Sequence, residues 1–170
     1  MTDTGNNPGF VILCKKIISM KKFLFGLFLF ALTGSAGAQV LNPVLWTFSS
    51  KKITEKVYEV SLTANMQNSW HLYSQTQPAD AINMPTGIIF KKNPFIILDG
   101  KIKELGKMEV YKDTRLGISA YQYTGKVEFV QKLKLKSNVK TNISGSVEYQ
   151  TCDDKKCLPP KKINFSVAIK

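Results

Sequence analysis

Apolar residues recur at every second position through most of this chain, and that period is the strongest constraint on its fold. Tyr58, Val60, Leu62, Ala64 and Met66 alternate with Glu59, Ser61, Thr63 and Asn65. Val127, Phe129, Leu133 and Leu135 do the same against Lys126, Glu128, Lys132 and Lys134. Ile143, Gly145, Val147 and Tyr149 form a third run, and Ile163, Phe165, Val167 and Ile169 a fourth. Successive side chains of a strand point to opposite faces, so each run predicts a strand with one buried and one solvated face. No segment of helical length has the 3.6-residue period that a helix needs. Shorter strands are expected at residues 44–48, 70–74, 87–90 and 96–98. Turn signals at Asn68-Ser69, Pro78, Asn93-Pro94, Asp99-Gly100, Thr124-Gly125 and Ser137-Asn138 separate the strands. The pattern predicts an all-β fold, an immunoglobulin-like antiparallel β-sandwich.

A chain of 170 residues, 44% hydrophobic and 11% aromatic, has the material for one packed domain, and this excludes an intrinsically disordered chain. Its formal charge of +12 is almost all lysine, since Arg115 is the only arginine. Arginine's planar fork is the usual tool for reading phosphates and bases, so nucleic acid is not the expected partner. In Lys132-Leu133-Lys134-Leu135-Lys136 the lysines alternate with leucines, which places them on the solvated face of a strand.

An export signal precedes the fold. Met20-Lys21-Lys22 is followed by an apolar run at 23–32 and then Ser35-Ala36-Gly37-Ala38. That order is a basic n-region, a short h-region and an A-x-A cleavage site. The run is too short for a membrane span of about 20 residues. Cleavage is expected after Ala38, so residues 1–38 are read as an upstream extension plus signal peptide, and residues 39–170 as the mature domain. Asp3 and the polar residues around it do not suit an n-region, which makes Met20 the expected start of translation. Cleavage discards Cys14 and leaves Cys152 and Cys157, an even pair in an exported, disulfide-permissive protein.

The two cysteines close a C-x4-C loop between two predicted strands. A disulfide there is open to two readings. As a structural staple it recovers only about 2 kcal/mol, against nearly 5 for a loop of ~100 residues. As an exchanging disulfide it needs both sulfurs within reach of a partner thiolate, which a short exposed loop provides. Metal binding is the third reading. Two cysteines and one histidine fall short of four zinc ligands, and the spacing matches no common zinc knuckle. Lys155 and Lys156 favour a thiolate at Cys157, whereas Asp153 and Asp154 oppose it.

Three stretches resemble the N-terminal periplasmic domain of the thiol:disulfide interchange protein DsbD. Tyr149-Gln150-Thr151-Cys152 with Cys157-Leu158-Pro159-Pro160 is similar to that family's cysteine signature. Gly106-Lys107-Met108-Glu109-Val110-Tyr111-Lys112-Asp113 is the second stretch, and the aromatic strand Trp70-His71-Leu72-Tyr73-Ser74 the third. The resemblance implies a periplasmic exchange domain with no cofactor beyond its own cysteines. Such a domain takes electrons from a thioredoxin-like donor and passes them to disulfides of periplasmic proteins. By the family's pattern Cys157 is the attacking thiol and Cys152 the resolving one, while His71, Tyr73 and Tyr149 flank the pair. Better-known members continue into a membrane electron-transfer domain and a thioredoxin-like domain, which here are expected to act in trans. Where the family has an aromatic pair in a loop capping the cysteines, this chain has Glu104 and Leu105. Capping therefore falls to Leu105, or to Tyr121 and Tyr123 from the next segment. The rival expectation is a secreted immunoglobulin-like binding module whose disulfide is structural.

Overall fold

The computed structural model describes residues 41–170, which form a compact unit. The expected signal peptide, its cleavage after Ala38, and Cys14 lie outside the described residues. Nine strands follow one another: β1 (Val44–Lys52), β2 (Val57–Met66), β3 (His71–Tyr73), β4 (Gly87–Phe90), β5 (Ile96–Asp113), β6 (Ile118–Leu135), β7 (Thr141–Tyr149), β8 (Thr151–Cys152) and β9 (Lys161–Ile169). Every pairing is antiparallel. One sheet runs β1-β2-β6-β3-β8 with β5 on the other side of β6, and the second runs β4-β7-β9. The fold is an immunoglobulin-like antiparallel β-sandwich.

The alternating runs supply its core. Val60, Leu62, Val127, Phe129 and Leu133 from the large sheet meet Ile143, Val147 and Ile169 from the small one, all buried. Trp46 packs between the sheets, its ring centroid 5.9 Å from Phe129 and 5.3 Å from Tyr149, and Phe48 stacks on Phe165 at 5.3 Å. Gly145 holds an inward position of β7 without a side chain because the Phe165 ring and the Ile89 carbonyl fill the space that a Cβ would need. Gln131 is the polar residue at an inward position of β6. Its amide donates to the carbonyls of Lys132 at 2.7 Å and Asp99 at 3.2 Å, so its burial leaves no donor stranded.

Two expected turns are not turns. Asp99-Gly100 and Thr124-Gly125 lie inside β5 and β6, with Gly100 at φ 73° and Gly125 at φ 67°. The register between the two strands shifts between Asp99 and Lys103 and again between Gly106 and Met108. These are bulges, which use a glycine at positive φ as readily as a turn does. Instead of the short strand expected at 96–98, β5 therefore continues to Asp113, and it forms with β6 a hairpin of two 18-residue strands. The length of β6 positions the site. Its residues 126–134 pair with β2 and build the core, whereas 122–124 pair with β3, the strand that carries the cysteine hairpin.

Candidate functional site

The chain leaves the small sheet at Tyr149 and joins the large one two residues later. Gln150 marks the switch: its side chain accepts from the Met84 N–H at 3.4 Å and donates to the Leu158 carbonyl at 3.3 Å. In β8, Thr151 pairs with Leu72 and Cys152 with His71. The Thr151 hydroxyl donates to the His71 carbonyl at 3.0 Å. The chain then folds back on itself. Leu158 N–H donates to the Thr151 carbonyl and Asp153 N–H to the Lys156 carbonyl, each at 2.9 Å. Between these bonds lies a non-hydrogen-bonded pair, the arrangement that brings opposite antiparallel residues closest. Cys152 and Cys157 occupy it with Cα atoms 4.0 Å apart, joined by a disulfide.

The turn is closed by Asp153, whose carboxylate accepts from the N–H groups of Lys155 at 2.8 Å and Lys156 at 2.7 Å. Those two bonds hold its carboxyl below the usual range. An aspartate in this role explains why a loop of four charged residues stays tight. The hairpin treats its two sulfurs differently. Cys152 is 2% exposed, whereas Cys157 is open to solvent.

His71 and Tyr73 share the face of β3 that looks toward the disulfide. Asn83 donates to the Tyr73 hydroxyl at 2.7 Å, and the hydroxyl lies 3.1 Å from His71 Nε2. The hydroxyl accepts from Asn83 and keeps a second lone pair, so it can take a proton from Nε2 or give its own to Nε2, and the bond fits either tautomer of the ring. Burial favours the neutral imidazole. It pushes the His71 pKa below 6.5 against the pull of Asp154, Asp153 and Glu109. Burial also raises the Tyr73 phenol to about 12, despite the bond from Asn83. The rings meet edge to face at 5.4 Å.

These groups line a cleft of about 330 Å³ with Cys152 and Cys157 on one wall. The other wall is Ile82, Tyr111 and Ile118, with Gln122 also lining it. Of the residues expected at the site, the structure brings together Cys152, Cys157, His71 and Tyr73. Two others lie elsewhere. Tyr149 continues the inward face of β7 and packs on Trp46 in the main core, because the chain changes sheets only after it. Leu105 is exposed on β5 opposite Glu128, outside the cleft lining. Tyr123 is buried in the main core and donates to the Glu104 carboxylate at 2.7 Å, and Tyr121 is not in the cleft lining either. The wall facing the cysteines comes instead from Tyr111 and Ile118 at the tip of the β5–β6 hairpin, and from Ile82 and Asn83 in the β3–β4 connection. Tyr111 lies in the stretch that carried the family likeness, so a signal for it existed. Asn83 and Ile82 sit in an irregular segment where periodicity has nothing to say.

Among the described residues no three His, Cys, Asp or Glu side chains converge as metal ligands do. The arrangement offers one accessible sulfur, one buried sulfur and a neutral imidazole beside them. No curated protein sequence matches the chain. Similar solved structures include the reduced DsbD N-terminal domain of Neisseria meningitidis, 16% identical with a TM-score of 0.47 over 79% of this chain and 94% of that one. The N-terminal periplasmic domain of ScsB from Proteus mirabilis is 17% identical with a TM-score of 0.46, over 74% of this chain and 44% of that one. The family described as thiol:disulfide interchange protein DsbD, N-terminal, matches residues 38–169. With more than half of its residues inside that match, the chain belongs to this family of thiol–disulfide exchange domains.

Proposed function

We propose that this domain is exported to the periplasm, begins at Gln39 after cleavage, and relays reducing equivalents from a thioredoxin-like donor to disulfides of exported proteins. The observation that carries this reading is the unequal exposure of the two sulfurs, Cys157 open and Cys152 2% exposed. In the donor half, a donor thiolate attacks the Cys157 sulfur and the Cys152 thiolate leaves. A second donor thiolate then releases Cys157, so the donor is oxidised and the domain reduced by two electrons. In the substrate half, the Cys157 thiolate attacks a substrate disulfide and one substrate sulfur leaves as thiolate. Cys152 then displaces the second, so the substrate is reduced and the Cys152–Cys157 bond re-forms. In the tautomer whose Nε2–H donates to Tyr73, neutral His71 has its Nδ1 free to accept a thiol proton in the same cleft. A membrane electron-transfer protein acting in trans would recharge the donor.

Trapping tests the asymmetry. Cys152→Ser should accumulate a mixed disulfide, formed under a mild oxidant, with a thioredoxin-like partner whose own second cysteine is replaced by serine, because neither chain then keeps a thiolate to resolve it. Cys157→Ser should accumulate little. Equal trapping by both variants would refute the assignment of roles, and trapping by neither would favour the binding module. The reduction potential separates those classes independently, since structural disulfides of secreted proteins lie below about −300 mV. Intact mass of the exported protein tests the start at Gln39.

A further inference from the structure

Three turns meet at the end of the sandwich remote from the cysteines: β1–β2, β4–β5 and β6–β7. Each carries two exposed lysines and one exposed apolar residue. In the first they are Lys52, Lys56 and Ile53, in the second Lys91, Lys92 and Phe95, and in the third Lys136, Lys140 and Val139. Ile53 is 44% exposed, Phe95 45% and Val139 37%.

Hydrogen bonds hold the three turns in one surface. Leu135 N–H at the end of β6 donates to the Lys56 carbonyl at 2.8 Å, and Lys136 N–H donates to the Phe95 carbonyl at 3.0 Å. Asn93 donates to the Thr141 hydroxyl at 3.0 Å, and Asn138 reaches Glu55 at 3.5 Å. Glu55 is the acid of these turns. Six lysines therefore stand against one carboxylate, whereas the rest of residues 41–170 hold fourteen basic against ten acidic side chains. Each apolar side chain is more than half covered by its surroundings and presents the rest to solvent between cations.

We propose that this end of the domain docks on a bilayer surface that carries anionic phospholipid. Lysines near such a surface are attracted to its negative potential, and apolar side chains beside them enter the boundary of headgroups and acyl chains. A soluble polyanion would use the lysines and leave Ile53, Phe95 and Val139 in water, so the mixed character of each turn favours the bilayer. Point charges suffice for that attraction, in keeping with a chain that has lysine but only one arginine. From Gln122, beside the cleft, to Leu135 the strand β6 covers roughly 40 Å at about 3.3 Å per residue. Docked by the three turns, the domain holds its cysteine cleft away from the lipid, open to soluble partners.

The test uses residues 39–170, which contain the whole compact unit and lack the apolar run at 23–32, so that this run cannot contribute to the readout. Co-sedimentation is measured with vesicles of phosphatidylcholine alone and with vesicles containing about one-third phosphatidylglycerol. Binding is expected to the anionic vesicles only and to be lost near ~1 M salt, where the screening length is about 3 Å. Lys52→Glu/Lys92→Glu/Lys140→Glu, one change per turn, should weaken partition at least about tenfold. Lys107→Glu/Lys126→Glu/Lys162→Glu makes the same change in net charge elsewhere and should keep most of it. Near-ultraviolet circular dichroism checks that both variants are folded. Equal loss in the two triple variants, or no binding to anionic vesicles, would overturn the proposal. Partition unchanged by Ile53→Ser/Phe95→Ser would overturn the bilayer as the partner.

Discussion

The two halves of β6 live in different environments. Toward its C-terminal end Val127, Phe129 and Leu133 are fully buried and face side chains of the opposite sheet. Toward its N-terminal end the buried cluster shrinks to Tyr73, Ala120 and Cys152. Hydrogen bonds take over there. The Tyr121 carbonyl accepts from Ser74 N–H at 3.0 Å and from Gln77 Nε2 at 2.7 Å, while Tyr121 N–H donates to Gln77 Oε1 at 3.1 Å. Ser119 donates to Asp80 at 2.7 Å, and Thr86 donates to the Tyr73 carbonyl. One end of the molecule is held by area removed from water, the other by directional bonds that position groups around a cleft. Stability and chemistry are therefore separable along a single strand.

That separation is broken most directly in the core. Phe129→Ala should cost about 3–5 kcal/mol, since it empties a fully buried ring site stacked on Trp46. Urea unfolding measures it, and a loss under about 1 kcal/mol would mean that the core half does not carry the fold. Reduction of the disulfide is the matching test at the other end. The closed loop is so short that its loss should cost at most about 2 kcal/mol. Near-ultraviolet circular dichroism of the sandwich should survive mild reduction at ordinary temperature. Its collapse would make the disulfide a staple and join the two halves again.

The same division governed how much of the molecule was legible in its sequence. The core half is written in period two: every residue of the runs at 58–66, 143–149 and 163–169 has the face that alternation assigns, except that Ile163 is only partly buried. Turn chemistry was read less well. Gly100 and Gly125 signal positive φ, and sequence alone cannot say whether that φ closes a turn or bulges a strand. The error hid the long β5–β6 hairpin, and with it the wall that Tyr111 and Ile118 build. His71 and Tyr73 were accessible because they lie two apart on a strand. Asn83 was not, because its bond to Tyr73 spans an irregular connection. Tyr149 was misplaced by its nearness in sequence to Cys152, which ignores the change of sheet at Gln150.

A gentler cut removes one directional bond at the cleft. Tyr73→Phe takes away the hydroxyl that accepts from Asn83 and faces His71 Nε2. The ring keeps its packing, so the expected loss is about 1 kcal/mol, the ordinary worth of one hydrogen bond. The measurement is again urea unfolding, paired with the rate of mixed-disulfide formation at Cys157. A large fall in stability would place Tyr73 among the core residues. An unchanged rate would leave the hydroxyl with no part in exchange. Spectrophotometric titration should find the same phenol still protonated at pH 11, because burial holds it to about 12.

The smallest expected effect is a pH dependence confined to the cysteine end. His71 is the only histidine in the chain, and burial lowers its pKa from 6.5. Asp154, Asp153 and Glu109 face it and oppose the shift, and the Tyr73 phenol on Nε2 stays uncharged at these pH values. Between the folded value and 6.5 the unfolded chain binds more protons than the native one, so stability rises with pH across that window. The contribution of neutral His71 is complete above 6.5 and is lost as the pH falls through the folded value. His71→Gln removes the titrating group. The stability of the native sequence minus that of the variant should therefore decline on acidification through this window. One imidazole also gives one set of ring resonances, whose titration midpoint should lie below 6.5. A midpoint at or above that value would show that the three carboxylates outweigh burial. Below that midpoint the cleft would then hold an imidazolium beside the disulfide, with no basic nitrogen left to take a thiol proton.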